Sequence, residues 1–253
     1  MAPAVPCHAL VPCGGVGSRA GAGVPKQYRQ VAGLPVLAHT LQALAAVPEV
    51  SGTLVVVSEG DVHFDELRGG LGLDGWRAFN PGLSVARRAG ATRAATVLAG
   101  LDWLVEQGGD AGDWVLVHDA ARCLVQPSQV RELIGSVWAG AGHDPLAGGL
   151  LAQPLADTLK AAEGGRVVAT VSRADKWLAQ TPQLFRLGAL RVALRAAEPG
   201  GFAGVTDEAS AMEAVGGRPL LVMAQGHNVK LTYPEDFVLA EALLQMRRRS
   251  ATA

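Results

Sequence analysis

Short apolar runs alternate along the chain with stretches in which apolar residues recur at helical spacing. Four of the runs are predicted as buried strands: 9–12, 53–57, 114–117 and 148–152. Helices are predicted near 35–44, 93–105 and 127–138. Because strands that alternate with helices need crossover connections, this order predicts a mostly parallel sheet with helices on both faces.

The pattern changes between residues 154 and 172. Two β-like runs flank Gly164-Gly165, which predicts a hairpin arm that projects from the sheet and pairs with another subunit. Helices at 187–197 and 207–215, a strand at 220–223 and a helix after Pro234 follow, and Thr232 to Glu235 resembles a capping box. We see no internal repeat or linker and expect one α/β domain over residues 1–253, in three layers.

Composition narrows the class of protein. The chain has 253 residues, 49% of them hydrophobic, but no apolar run approaches the roughly 20 residues of a membrane span. The start lacks the features of a secretory signal, so we expect a cytoplasmic protein. A formal charge of −1 argues against a nucleic-acid or membrane binder. Three scattered cysteines predict reduced thiols, and the six histidines lack metal-binding spacing.

A glycine loop follows the first predicted strand. Residues 12–19 read Pro-Cys-Gly-Gly-Val-Gly-Ser-Arg, and residues 25–28 read Pro-Lys-Gln-Tyr. Glycines let backbone N–H groups approach a polyphosphate, Arg19 offers a bidentate grip and Lys26 offers a compact charge. The loop fits neither the Walker A motif nor the dinucleotide fingerprint. Taken alone, the glycines could equally form only a tight turn.

The loop and Pro-Lys-Gln-Tyr together resemble nucleotidyltransferases that activate sugars and polyols, and more narrowly the 2-C-methyl-D-erythritol 4-phosphate cytidylyltransferase family. The Val-His-Asp-Ala-Ala-Arg run at 117–122 is similar to a second family signature. Further matches follow in the family's order over nearly the whole chain: Asp157-Thr158, Arg173, Thr181-Pro182-Gln183, 206–210 and 228–232. The resemblance implies a Rossmann-like sheet of nucleotidyltransferase type. It also implies CMP transfer from CTP to the polyol phosphate, in the non-mevalonate route to isoprenoid precursors.

The resemblance also implies roles for individual residues. The residues expected to be catalytic are Arg19, Lys26 and Lys230. The expected nucleotide contacts are Pro12, Cys13, Gly14, Gly15, Gly17, Gly90, Thr96 and Asp119. The expected acceptor contacts are Asp119, Ala120, Arg122, Thr158, Arg173, Thr181, Thr206 and Lys230. Arg173 is expected to reach a neighbouring subunit's site, which implies a homodimer, and Mg²⁺ is expected to be held mainly by substrate phosphates rather than by a metal site of the protein.

Several of these residues also have plain structural explanations. Thr206 precedes two acids and makes a good helix N-cap, and Asp119 could cap the element after its strand. His118 sits on an apolar strand and is interpreted as a packed core residue. Cys13 has no nearby histidine to activate it and is interpreted as a small loop-packing residue.

The chain departs from the family pattern at two places in the expected nucleotide site. Cys13-Gly14 stands where the family generally has two alanines. Residues 89–96 lack a second glycine, an Asp at position 91 and a Ser at position 96. Loss of the carboxylate removes one expected nucleotide contact. That loss leaves a nucleotide-binding regulator without turnover as one alternative. A ribitol 5-phosphate cytidylyltransferase is the other, because that family resembles the glycine loop and the Asp-Ala-Ala-Arg signature as well.

Overall fold

The elements of the chain follow the predicted alternation of strands and helices. The computed structural model describes residues 5–15, 23–79, 82–142, 144–224 and 227–252. The strands are β1 (Cys7–Pro12), β2 (Gln30–Val31), β3 (Leu34–Pro35), β4 (Gly52–Val57), β5 (Leu83–Arg87), β6 (Trp114–Val117), β7 (Gly148–Pro154), β8 (Leu159–Glu163), β9 (Arg166–Val171), β10 (Trp177–Arg186) and β11 (Leu220–Met223). The helices are α1 (Val36–Ala45), α2 (Val62–Phe79), α3 (Arg93–Glu106), α4 (Pro127–Ala141), α5 (Leu187–Ala197), α6 (Glu208–Ala214) and α7 (Pro234–Thr252). The predicted elements are confirmed within a few residues at each end.

Seven of the described strands form the central sheet, in the order β11-β7-β10-β6-β1-β4-β5. Parallel pairs join β1 to β4 and β6, β4 to β5, and β7 to β11. Among the described strands of this sheet, β10 alone runs antiparallel to its neighbours, β6 and β7. The predicted mostly parallel α/β sheet is therefore confirmed.

Both faces of the sheet are covered, because successive side chains of a strand point to opposite faces. In β1, Ala9 and Val11 pack in one apolar cluster with α1 and α4, while Leu10 packs in a second cluster with α3, α5 and α6. All three side chains are fully buried. The parallel strands at the centre of the sheet are mostly apolar for this reason.

The sequence pattern does not predict β10, although this strand lies near the centre of the sheet. Pro182 lies within it, and a proline normally argues against a central strand because it cannot donate to the ladder. The register between β10 and β7 shifts between Ala179 and Gln183, so Pro182 occupies an irregularity where the ladder is already interrupted. The sequence rule fails here because the sheet tolerates the proline at a bulge.

The predicted hairpin is present as a separate two-stranded sheet. β8 pairs antiparallel with β9, and the turn residues Gly164 and Gly165 have φ angles of +55° and +74°. Such angles favour glycine, which carries no Cβ. Nearly all side chains of the two strands are exposed. Pairing of this arm with a second subunit stays a prediction.

Helix α7 begins with a different cap from the predicted one. The Asp236 carboxylate accepts the N–H groups of Thr232 at 2.7 Å and Tyr233 at 2.8 Å, while the Thr232 hydroxyl donates to the Lys230 carbonyl at 3.1 Å. The prediction of a cap formed by Thr232 and Glu235 is therefore wrong, because Asp236 rather than Glu235 accepts the Thr232 N–H and the Thr232 hydroxyl binds the Lys230 carbonyl. The cap fixes the segment that carries Lys230.

A third apolar cluster anchors α7 to the rest of the fold. Phe237 and Ala240 of the helix pack with Leu231, Val31 and Leu124. Within the described ranges, no helix combines the length and apolarity needed to cross a bilayer.

Candidate functional site

A cleft of about 340 Å³ opens where β1 and β6 end. In open α/β sheets, ligands bind beyond the carboxyl ends of the parallel strands. The predicted site residues that line this cleft are Pro12, Cys13, Gly14, Gly15, Lys26, Gly90, Thr96, Asp119, Ala120 and Lys230. Residues without a predicted role that also line it are Gln27, Ala91, Thr92, Arg93, Ala121 and Thr232. Gly17 and Arg19 lie outside the described residues.

The glycine loop is held in place by the residue next to Lys26. The buried Gln27 amide donates to the carbonyls of Gly15 at 2.8 Å and Cys13 at 3.3 Å. At the start of the loop, the Cys13 N–H donates to the Val56 carbonyl at 2.8 Å. With these carbonyls bound from one side, the described part of the loop keeps a fixed course along the cleft. The sequence contains Gln27 in its Pro-Lys-Gln-Tyr motif but gives no sign of this role.

The Cys13 side chain is a packing residue, as the sequence predicts. Its side chain is 2% exposed and its Sγ lies 3.6 Å from the Tyr28 hydroxyl. Burial raises the pKa of the thiol to about 12. A thiol with that pKa is not ionised near neutral pH, so nucleophilic chemistry at Cys13 is disfavoured.

The loop between β5 and α3 forms the wall that adjoins the glycine loop. The Thr96 hydroxyl accepts the Gly90 N–H at 3.1 Å and donates to the Thr92 carbonyl at 2.9 Å. Thr92 caps α3 by accepting the Ala95 N–H at 3.1 Å. A side chain at Gly90 would place its Cβ 2.5 Å from the Cβ of Ala95, so this turn requires glycine. Thr96 therefore acts first as a structural residue of the loop.

Asp119 is the centre of a cluster of charges at the cleft floor. Its carboxylate lies 2.8 Å from Arg93 Nε, 2.8 Å from Lys230 Nζ and 3.7 Å from Arg122 Nε. Arg93 also binds Glu208 through two bonds, of 2.7 Å and 3.0 Å. Among the described residues, three cations line the cleft, Lys26, Arg93 and Lys230, and they outnumber the two carboxylates of the cluster, Asp119 and Glu208. A chain with a net charge of −1 thus concentrates positive charge at this cleft.

The charges of the cluster fix one another's ionisation. Burial by itself would raise the pKa of Asp119, but the nearby charges of Arg93, Lys230 and Arg122 outweigh burial and hold that pKa well below its usual range. Burial would likewise lower the pKa of Arg93, and the charges of Glu208 and Asp119 instead raise it. Asp119 is therefore a carboxylate, and Arg93 a cation, at any pH near neutrality.

A buried chain of hydrogen bonds supports Asp119 from behind. The Asp119 N–H donates to the Thr181 hydroxyl at 3.0 Å, and that hydroxyl lies 3.2 Å from His118 Nδ1. His118 Nε2 lies 3.2 Å from the Arg122 carbonyl, which can only accept, so Nε2 carries the proton and Nδ1 accepts from Thr181. Burial holds the pKa of His118 at about 4. The interpretation of His118 as a core residue is confirmed.

Arg122 and Thr181 lie behind the cleft rather than in it. The Arg122 Nη1 donates to the Asn228 carbonyl at 2.7 Å, and the Asn228 side chain donates to the Thr181 carbonyl at 2.7 Å. Thr181 is only 4% exposed. Neither side chain lines the cleft, and both support the Asp119 segment. Their contact with the acceptor stays a prediction.

The other expected acceptor residues do not line this cleft. Thr158 and Arg173 are exposed at the base of the hairpin arm, just before β8 and just after β9, at the end away from the Gly164-Gly165 turn. Thr206 is exposed beside a smaller cavity of about 130 Å³, which it shares with Thr92 and Arg93. Asp207, not Thr206, caps α6, accepting the Ser210 N–H at 2.9 Å. One subunit therefore brings together those expected nucleotide contacts that the structure describes, but only part of the expected acceptor contacts.

Arg93 is the charged residue among the described cleft residues to which the sequence assigned no role. A signal for it exists, because a cation in the first turn of a helix is disfavoured by the positive end of the helix dipole. Arg93 follows the N-cap of α3 directly, so its position implies carboxylate partners. Those partners could not be identified from the sequence, since Glu208 lies 115 residues further along the chain.

A divalent cation in the described part of this cleft would meet one carboxylate, that of Asp119, which already pairs with Arg93 and Lys230. Among the described residues, no group of three His, Cys, Asp or Glu side chains could hold a metal ion. Asp119 is the one acid among the described lining residues of the cleft. A single carboxylate together with substrate phosphates is a common setting for Mg²⁺, which keeps several of its waters.

Comparisons with known proteins agree with this site. The family model for IspD, 2-C-methyl-D-erythritol 4-phosphate cytidylyltransferase, matches residues 7–246. The chain is 47% identical over 241 residues to a protein of that name from Paraburkholderia xenovorans, covering 93% of this chain and 95% of the relative. It is 52% identical over 247 residues to the bifunctional enzyme IspD/IspF of Albidiferax ferrireducens, covering 98% of this chain and 55% of that relative.

Solved structures show the same fold. A crystal structure of 4-diphosphocytidyl-2C-methyl-D-erythritol synthase is 38% identical with a TM-score of 0.77, covering 95% of this chain and 99% of that chain. The 2-C-methyl-D-erythritol 4-phosphate cytidylyltransferase of Francisella tularensis is 30% identical with a TM-score of 0.75, covering 94% and 99%. The family model spans almost the whole chain, and many of the expected site residues line the cleft of this protein. The chain therefore belongs to the 2-C-methyl-D-erythritol 4-phosphate cytidylyltransferase family.

Proposed function

We propose that this chain transfers CMP from CTP to 2-C-methyl-D-erythritol 4-phosphate in the cleft beyond β1 and β6, with release of pyrophosphate. The observation that carries the proposal is the surplus of cations beside the glycine loop in a member of this family. Two phosphorylated substrates repel each other, so a site that unites them needs fixed positive charge and backbone N–H groups.

The reaction is an in-line displacement at the α-phosphorus of CTP. An oxygen of the acceptor phosphate forms the new bond to phosphorus, and the bond from the α-phosphorus to the bridging oxygen breaks, so pyrophosphate leaves with that oxygen. The acceptor phosphate is largely ionised near neutral pH because its second pKa is about 6. No general base is required, and positioning and electrostatics supply the catalysis.

The cations have separate tasks in this scheme. Lys26, whose Nζ donates to the Leu231 carbonyl at 3.1 Å, stands beside the glycine loop and would neutralise charge on the triphosphate. Lys230 is held by Asp119 and would meet the acceptor phosphate. We assign Arg19 to the triphosphate by the family resemblance alone. Mg²⁺ would be held by the substrate phosphates with Asp119, and would neutralise phosphate charge there.

The nucleotide would lie between the two loops. Pro12, Cys13, Gly14 and Gly15 would contact the triphosphate through their backbone, and we extend that role to Gly17. The turn at Gly90 and the Thr96 region would lie by the cytosine and ribose. Position 91 carries alanine, so backbone groups of this turn would recognise the ribose without a carboxylate there.

The acceptor site would be completed by a second subunit. Asp119, Ala120 and Lys230 lie in the cleft, whereas Thr158 and Arg173 are exposed on the arm. The arm also exposes Val167 by 63% and Val168 by 61%, and exposed apolar side chains of this kind favour an interface. We therefore propose a two-fold homodimer in which each arm brings Arg173 to its partner's cleft.

Three free, buried cysteines favour a reducing compartment, and we propose a cytoplasmic location.

The test is pyrophosphate release from CTP, measured with each acceptor in turn, with CTP binding measured alongside. Turnover with 2-C-methyl-D-erythritol 4-phosphate well above that with ribitol 5-phosphate is expected. The opposite preference would assign the chain to the ribitol reaction. Tight CTP binding without turnover on either acceptor would instead support a regulator, for which the alanine at position 91 is the specific observation.

A further inference from the structure

The glycine loop and the loop between β5 and α3 touch at the wall of the cleft. A Cβ built on Gly14 would lie 2.2 Å from the Cβ of Ala89 and 3.3 Å from Ser58 Oγ. Non-bonded carbon atoms settle at about 3.5 to 4.0 Å, so two methyl groups do not fit in this contact. An alanine side chain has no rotamer by which to move away.

Hydrogen bonds to β4 hold both loops in place at this contact. The Cys13 N–H donates to the Val56 carbonyl at 2.8 Å, and the Ala89 N–H donates to the Val57 carbonyl at 3.0 Å. Both loops are thus tied to neighbouring residues of β4, and the Gln27 amide holds the glycine loop from the other side. Added volume between them would have to break these bonds or change the width of the cleft.

We infer that Gly14 and Ala89 are a coupled positioning pair that sets the distance between the two walls of the nucleotide site, so that one methyl group fits between them and two do not. The inference deepens the proposed function and rests on it for its kinetic readout. It is independent of the identity of the acceptor, because both loops lie on the side assigned to CTP.

The geometry predicts that the methyl group can be moved from one side to the other. In a chain with Ala89→Gly, a Cβ at position 14 would meet the Cα of residue 89 at 3.7 Å, which is an ordinary contact, and Ser58 Oγ at 3.3 Å, which needs an adjustment of a few tenths of an ångström. Gly14→Ala should therefore be damaging alone and tolerated together with Ala89→Gly.

The test compares wild type, Gly14→Ala, Ala89→Gly and the double variant by kcat, KM for CTP and thermal unfolding. Gly135→Ala is the control for a glycine-to-alanine change, since its Cβ would meet nothing within 4 Å. Gly14→Ala is expected to raise the KM for CTP on the order of tenfold and to lower the melting temperature. The double variant is expected to return to within about twofold of Ala89→Gly, whereas additive effects would predict no recovery.

A double variant as impaired as Gly14→Ala, or a Gly14→Ala protein equal to wild type in melting temperature and KM, would overturn the inference. Melting temperatures test the contact without reference to the reaction. A wild-type protein that releases no pyrophosphate would therefore refute the proposed function, while recovery of melting temperature in the double variant would still support the pair. If Gly14→Ala does not fold, a folded and active double variant supports the pair and an unfolded one contradicts it.

Discussion

Lys26 and Gln27 show how consecutive residues build the cleft. Gln27 is buried and holds the glycine loop by its carbonyls, while Lys26 reaches the cleft and donates to the Leu231 carbonyl. The pair thus connects the loop after β1 with the segment before α7. The same short helix, Lys26–Tyr28, positions the Lys26 ammonium in the cleft and, through Gln27, holds the glycine loop.

Removal of the Lys26 charge should abolish most turnover without unfolding the protein. Lys26→Ala is expected to lower kcat/KM on the order of a hundredfold or more, because charge stabilisation at the reacting phosphates is lost. The measurement is steady-state pyrophosphate release, with circular dichroism to confirm folding. The control Arg131→Ala removes an exposed cation that pairs with Glu49 far from the cleft, and it should leave turnover unchanged. Near-normal turnover of Lys26→Ala would refute the assignment.

His118 should make the stability of the protein depend on pH. Its pKa is about 4 in the folded chain and about 6.5 when unfolded, so the unfolded state takes up the proton first as pH falls. The folded state therefore loses stability between about pH 6.5 and 4, and loses nothing from this group above pH 6.5. Between pH 7.5 and 5 the loss from His118 is about 2 kcal/mol.

Denaturant unfolding at several pH values checks this prediction. His118→Gln keeps a donor for the Arg122 carbonyl but has no group that titrates in this range. Its free energy of unfolding should fall less than that of wild type over the same pH interval. Parallel pH profiles for the two proteins would show that His118 is not the group responsible.

At the scale of elements, Arg93 connects α3 to α6 and to the end of β6. Its guanidinium binds Glu208, which is 1% exposed, and Asp119. Removal of one partner of a buried ion pair is destabilising, and loss of Glu208 would leave Arg93 with Asp119 as its remaining described partner, so its charge would be only partly compensated. Glu208→Ala is therefore expected to lower the free energy of unfolding by about 2 to 3 kcal/mol and to free Arg93 to move.

The matched control is Glu213→Ala, which removes an exposed acid from the same helix. It should change the free energy of unfolding by less than about 0.5 kcal/mol. Urea titrations of the two variants give the comparison. Equal losses in both would mean that Glu208 acts only as a helix residue and that its bond with Arg93 contributes nothing.

The sequence predicts elements best where each element agrees with its local pattern. The strands at 114–117 and 220–223 and the helix at 187–197 are found at the predicted bounds. β10 is not predictable in this way, because Pro182 reads locally as a break and only the sheet supplies the irregularity that admits it. The glycine-rich α2 is missed for a similar reason, since Gly69 and Gly70 weaken a helical pattern that tertiary packing restores.

Site residues are likewise predictable where a local motif places them and not where a distant contact does. Lys26, Gly90, Asp119 and Lys230 reach one cleft as motifs predict, since each motif follows a strand or lies beside one. The Arg122 side chain points inward because it donates a hydrogen bond to the Asn228 carbonyl, which lies 106 residues further along the chain. The two departures from the family pattern, at the glycine loop and after β5, meet in space at Gly14 and Ala89, and no reading along the sequence could pair them.

At the scale of the whole molecule, the proposed dimer predicts complementation between two inactive variants. Each cleft would combine Lys26 of one subunit with Arg173 of its partner, so a mixed dimer of Lys26→Ala and Arg173→Ala chains would contain one intact site. With free exchange, about half of the dimers are mixed and about a quarter of wild-type turnover returns. Absence of recovery after verified exchange would show that Arg173 serves its own subunit or none.

The most direct test of the account is a crystal structure of the protein with CTP and Mg²⁺. The triphosphate is expected against Gly14, Gly15 and Lys26, with the cytosine on the turn at Gly90 and the Asp119 cluster facing the α-phosphate. A nucleotide bound elsewhere on the surface, or a cleft without nucleotide at saturating CTP, would contradict the claim that this cleft is where the reaction occurs.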